Sequence, residues 1–223
     1  MSTRYQITAT LAAAATALTL SACSSSGTTH STTSHSSMIG GAMSSMTANG
    51  TASQTPTVQA AGPASGPHNA ADVAFATDMI PHHAQALEMA KTALSKASNP
   101  QVKQLAQMIE NEQTPEIASM TGWLKGWNKP VPDTSTAGMR MGSMSMPGMM
   151  SDADMTKLNS VTGTAFDRLF LTQMVAHHTG ALTMANTELT TGQNNDAKTL
   201  AKSIITGQSK EIAQMKALLP TLK

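Results

Sequence analysis

Residues 75–90 read FATDMIPHHAQALEMA, and residues 170–185 read FLTQMVAHHTGALTMA. They are one pattern written twice. Nine of the sixteen positions are identical: the Phe, a Thr, both Met, both His, a Leu and two Ala. The shift is 95 residues, and it continues downstream without a gap. VKQLAQMIENEQTPEIASM, residues 102–120, lies over AKTLAKSIITGQSKEIAQM, residues 197–215, with nine of nineteen positions the same. Gln113/Gln208, Glu116/Glu211 and Met120/Met215 are among them. Such a repeat reads as a duplicated helical hairpin.

Phe75, Met79, His82, Ala86 and Met89 are spaced by four and three, one face of an α-helix. Asn69 can cap that helix, with Asp72 three residues on as an imperfect capping box. The first helix is expected to end near Ala97. A second should run from Pro100, a residue suited to the first helical position, to Trp127. A third is expected over about 153–190 and a fourth over about 195–219, stopped by Pro220. The fold class is therefore all-α. It is a four-helix bundle of hairpins 70–127 and 153–219, joined by a Met-rich, low-complexity linker over 128–152.

The polar residues kept by both copies are in an unexpected place. At about 100° per residue from Phe75, His82 falls near 340° and His83 near 80°, flanking the centre of the apolar stripe. On the second helix Gln113 and Glu116 point inward too. Antiparallel pairing about Ala97 sets residue 82 beside 112–113 and residue 79 beside 115–116. The second half repeats this with His177, His178, Gln208, Glu211 and Met174. A buried carboxylate is costly unless paired or bound to a cation. A metal ion would satisfy it. So would a protonated histidine beside each glutamate, in a purely structural network. Pro81 and Pro115 interrupt the hydrogen bonding of the first two helices. The second half has Ala176 and Lys210 there, so kinks are expected in the first half only.

These residues form the pattern F-x-x-x-M-[IV]-x-H-H-x-x-A-L-x-M-A, followed by L-A-x-x-I and Q-x-x-E-I-x-x-M, twice. Over about residues 70–219 it resembles the bacterial family called domain of unknown function 305. The resemblance implies an exported or membrane-anchored protein, a ferritin-like helical fold and, for some members, copper binding and resistance. It also implies metal-binding candidates: His82, His83, Met79 and Met89, with His177, His178, Met174 and Met184. Glu116 and Glu211 join them from the register argument. Di-iron ferritin-like proteins carry Glu-x-x-His motifs. Here Met79 and Met174 stand three residues before the first histidine of each pair. That disfavours a metal oxidase and an enzymatic role. Histidine with thioether suits copper, above all Cu(I); zinc or iron are alternative metals.

The linker segment MRMGSMSMPGMM, residues 139–150, holds six methionines: Met139, Met141, Met144, Met146, Met149 and Met150. Its spacings resemble thioether copper or silver sites of exported trafficking proteins. It has Gly, Ser and Pro and no helical stripe, so packing does not explain it. Thioether binds soft metal without losing a proton.

Residues 1–22 read as a secretory signal, with Arg4 before the apolar run from Ile7 to Leu20. LSAC, residues 20–23, resembles the lipobox of bacterial lipoproteins, which makes Cys23 the lipidation site and the membrane a partner. Cys23 is the sole cysteine, so no internal disulfide or thiolate ligand is available. Residues 23–69 form a Ser/Thr/Gly-rich tether expected to be disordered, reaching about 40 Å. A net charge of +1 and 3% aromatic residues give no case for nucleic acid. The leading expectation is an extracytoplasmic lipoprotein that buffers copper or hands it to a copper-handling partner.

Overall fold

The computed structural model describes residues 66–135 and 146–223. Expectations for the signal, Cys23, most of the tether, Met139, Met141 and Met144 lie outside the described residues.

Four long helices build the bundle: α1 (Ala70–Lys96), α2 (Pro100–Gly126), α4 (Gly163–Thr191) and α5 (Asn195–Leu218). A short α3 (Asp152–Ser160) precedes α4, and a 3-10 turn spans Leu219–Thr221. Asparagines start three of the long helices. The Asn69 side chain accepts from Ala71 and Asp72, Asn99 accepts from Gln101, and Asn194 accepts from Asp196 and Ala197. Such caps satisfy helix N–H groups that have no intrahelical partner. The Asn69–Asp72 capping box is complete, since Asp72 accepts in return from the Asn69 N–H at 2.6 Å.

The single third helix expected over 153–190 is corrected to two. Val161 and Thr162 are extended, and Gly163 opens α4 at φ +62°. Two β-branched residues followed by a glycine in the left-handed region end one helix and start the next. By contrast α1 and α2 run uninterrupted through Pro81 and Pro115.

Each hairpin is an intimate pair, α1 with α2 and α4 with α5. The hairpins meet through α1 and α4. These run antiparallel, because the start of each lies at the turn of the opposite hairpin. Helices α2 and α5 scarcely touch, which leaves a groove between them. The apolar core falls into two clusters. One gathers Met89, Leu105, Ile109, Phe166, Phe170 and Met174. The other gathers Phe75, Met79, Ile80, Trp123, Leu124 and Ala181. Burying each large side chain contributes about 1.5–3 kcal/mol. Along the helices, a polar layer containing the histidine pairs separates the two. No helix among the described residues is long and apolar enough to cross a membrane.

Candidate metal centre

His82, His83, His177 and His178 are fully buried. The 95-residue shift relates them, and in space it becomes an approximate twofold. His83 Nε2 lies 2.7 Å from Glu116 Oε2, and His178 Nε2 lies 2.8 Å from Glu211 Oε2. The inner pair, His82 and His177, face each other across the hairpin interface with ring centroids 3.8 Å apart. His83 follows His82 at 6.5 Å, and His178 follows His177 at 6.3 Å. The result is a row of four imidazoles ending in a carboxylate on either side. This is the layer anticipated from the helical register.

The layer is short of hydrogen-bond partners. His82 Nδ1, His83 Nδ1, His178 Nδ1 and both nitrogens of His177 have none, nor does Glu211 Oε1. Buried polar atoms are rarely left so. Burial, then the neighbouring His83, pushes the His82 pKa down to about 3 against a weaker opposing pull from the Pro147 carbonyl. Burial and then His82 hold His177 well below the ordinary histidine range. The central pair is therefore neutral at physiological pH, the form in which imidazole ligates a metal. A carboxylate accepting from Nε2–H leaves the Nδ1 lone pair of His83 and His178 available.

A strap from the Met-rich linker closes one side. The Pro147 carbonyl lies 3.1 Å from His82 Nε2. Gln85 clamps Met150 through both backbone groups, accepting from its N–H at 2.7 Å and donating to its carbonyl at 2.9 Å. Gly148, at φ +79°, rides on α4. A Cβ there would meet the Ala176 carbonyl at 2.7 Å, and a Cβ on Gly180 would meet the Pro147 carbonyl at 1.9 Å. Sequence reading missed Gln85, Pro147, Gly148 and Gly180. The available signal was that Gln85 and Gly180 are repeat equivalents of unlike type.

The remaining candidates are distributed around this layer. Met79 and Met174 are buried one turn from the histidines, each in a different apolar cluster. Met89 lies seven residues from His82, about 10 Å along the helix, inside the core. Met184, its repeat equivalent, is half-buried against the other cluster. Met146 and Met149 are half-buried in the strap, and Met150 packs on the core. Among the described residues no three His, Cys, Asp or Glu side chains converge to hold a metal ion.

Comparison with known proteins gives a consistent picture. The family described as Domain of unknown function (DUF305) matches residues 72–219. A DUF305 protein of Streptomyces coelicolor, assigned as secreted, is similar in structure at 34% identity and a TM-score of 0.61, covering 68% of this chain and 93% of that one. A DUF305 fragment of Deinococcus radiodurans is similar at 29% identity and a TM-score of 0.61, covering 70% and 100%. CopM in its Cu(II)-bound form is similar at 36% identity and a TM-score of 0.59, covering 68% and 97%. CopM structures with Cu(I) and with Ag are also similar, at 34% identity and TM-scores of 0.56 and 0.55. No curated protein is similar at a significant level.

Proposed function

The chain belongs to the DUF305 family, and from that premise we propose that it is an extracytoplasmic copper-binding lipoprotein. Its work is to hold copper for buffering, resistance or transfer to a copper-handling partner, without catalysis. The observation that carries this reading is the buried row of four histidines with five unpartnered ring nitrogens. A structural network would have paired them. His82, His83, His177 and His178 supply nitrogen. Met79 and Met174 beside the layer, and Met139, Met141, Met144, Met146, Met149 and Met150 of the linker, supply thioether. Glu116 and Glu211 orient the outer histidines. This donor set favours copper, with Cu(I) best served by sulfur. The copper and silver forms of CopM support the same metal class. Zinc or iron would find fewer matching donors. The secreted assignment of the Streptomyces relative supports a location outside the cytoplasm, and Cys23 is the proposed lipid anchor.

Titration of the full chain with Cu(II), Cu(I) and Ag(I), with elemental analysis, tests the proposal. The wild type should bind copper and gain thermal stability, and the variant with all four histidines changed to Ala should lose both effects. Absence of binding, or binding indifferent to the four substitutions, would sink it. Labelled fatty acid should enter the wild type and not Cys23→Ser.

A further inference from the structure

The histidine row is fully buried, so a metal needs a way in. On one side the strap is shut: Pro147 is bonded to His82, and the Gly148 and Gly180 backbones touch. The other side is the groove between α2 and α5, a cavity of about 230 Å³. One water needs only about 10–15 Å³ measured in this way, so the groove has room for several waters and for an ion among them.

The lining of the groove is made for cations. Glu112, Glu116 and Glu211 line it, and Lys210 is the only cationic side chain among the residues that do. Glu116 and Glu211 form its inner wall while bonded to His83 and His178. Gln113 also lines it, at 2% exposure, and neither its amide oxygen nor its nitrogen has a partner. Gln208 Oε1 and Glu211 Oε1 lack partners as well. These are oxygen donors that can replace water molecules one at a time. Glu112 is exposed and reaches across the groove: a Cβ on Gly207 would lie 3.1 Å from its Oε2. Residue 207 is the repeat equivalent of 112, so one copy places a carboxylate where the other leaves space.

We propose that the α2–α5 groove is the port that captures hydrated metal cations and leads them past Glu116 and Glu211 to His83 and His178. The port rests on the copper-binding function proposed above. Glu112 acts at its mouth by attraction in its ionised form, which burial and then the Glu211 and Glu116 carboxylates delay to about pH 7 against a weaker pull from Lys210, so its effect is full above that pH. Carboxylates lining a cleft with low-dielectric walls raise the local concentration and the association rate of cations.

Stopped-flow mixing of the metal-free full chain with Cu(II) sulfate, read by quenching of Trp123 and Trp127, tests the port. Glu112→Gln should slow association roughly three- to tenfold and flatten its dependence on salt. The double variant E112Q/G207E returns the carboxylate from the opposite helix and should restore the rate. A rate unchanged in Glu112→Gln overturns the port alone. So does a slowing that E112Q/G207E leaves in place, since Glu112 would then matter only for packing. A wild type that takes up no copper overturns the port together with the function it serves.

Discussion

Asp72 holds the turn of the second hairpin, and Asp167 holds the turn of the first. Asp72 Oδ1 accepts from the N–H groups of Gln193 and Asn194 at 2.9 and 2.8 Å. Asp167 accepts from the N–H groups of Ser98 and Asn99 at 3.0 and 2.9 Å, and from the Ser98 hydroxyl. Ser98 and Asn99 are repeat equivalents of Gln193 and Asn194, as Asp72 is of Asp167. The exchange is reciprocal. It pins each turn to the start of the other hairpin, which fixes the axial register of α1 against α4 and so brings His82 opposite His177.

Removing either clamp should therefore cost stability at its own end. Asp167→Ala leaves two backbone N–H groups and a hydroxyl without their acceptor, a loss of roughly 2–3 kcal/mol. Asp72→Ala should lose a similar amount. Asp72 and Ser98 lie at opposite ends of α1, about 39 Å apart along the axis. The double variant should then be additive to within about 0.5 kcal/mol. Urea unfolding of the four proteins measures this, and a large coupling energy would show that the clamps act otherwise.

Glu188 makes one of these ends sensitive to pH. Burial, then its hydrogen bond to Asp72 and the charge there, pushes the Glu188 pKa up to about 8. Asp72 moves the other way: burial opposes its ionisation, but bonds from the Asn69 and Asn194 N–H groups, Glu188 and Gln193 outweigh it. The folded chain keeps the Glu188 proton longer than the unfolded chain, whose value is near 4.5. Its contribution is complete below about 4.5 and is lost as pH rises through about 8. Asp72 contributes above its ordinary 3.8 and loses its contribution as the solution becomes more acidic. Below about pH 6.5 the depressed His82 and His177 act in the opposite sense, so melting temperature should decline between about pH 7 and pH 8, and Glu188→Gln should flatten the decline. An unaltered slope in that variant would remove Glu188 as its cause.

The histidine layer was legible because its parts sit on long helices with a strict period. His83 to Glu116 and His178 to Glu211 are both 33 residues apart, and two antiparallel helices joined by a short turn leave little freedom in register. What escaped was carried by backbone or by tertiary choice. The strap is held by the Pro147 carbonyl and the Met150 backbone, which no side-chain pattern announces. The break before Gly163 hid because the apolar spacing continues on both sides of it. Asp72 was visible as a cap, but its bonds to Gln193 and Asn194 depend on how the hairpins pack. The prolines suggested unequal halves; the inequality the structure displays is a strap on one face and Glu112 opposite Gly207 on another.

The strap should be separable from the bundle. Gly180→Ala drives a methyl into the Pro147 carbonyl, and neither backbone can yield in place. The strap should detach while the four long helices persist, since an Ala suits a helix better than Gly. Hydrogen exchange at the Met150 amide, now bonded to Gln85, should lose its protection. Copper should also leave faster, because the Pro147 carbonyl and the strap behind it no longer cover His82. Retained protection at Met150 would contradict the proposed contact.

His177 and His178 provide the sharpest separation of binding from stability. His177 is fully buried with both ring nitrogens unpartnered, so in the metal-free protein it is a burden. His177→Met removes two orphaned polar atoms with little change in volume. Such a change at a functional site is neutral or stabilising. His178→Met instead strips Glu211 Oε2 of its partner and leaves a buried carboxylate uncompensated, a cost of about 1–3 kcal/mol. Both variants should weaken copper binding. The expected result is thus one metal-free protein as stable as the wild type or more so, one clearly less stable, and a loss of copper-induced stabilisation in both. If the histidines served only a structural network, His177→Met would destabilise like its neighbour, and adding metal would shift neither melting curve.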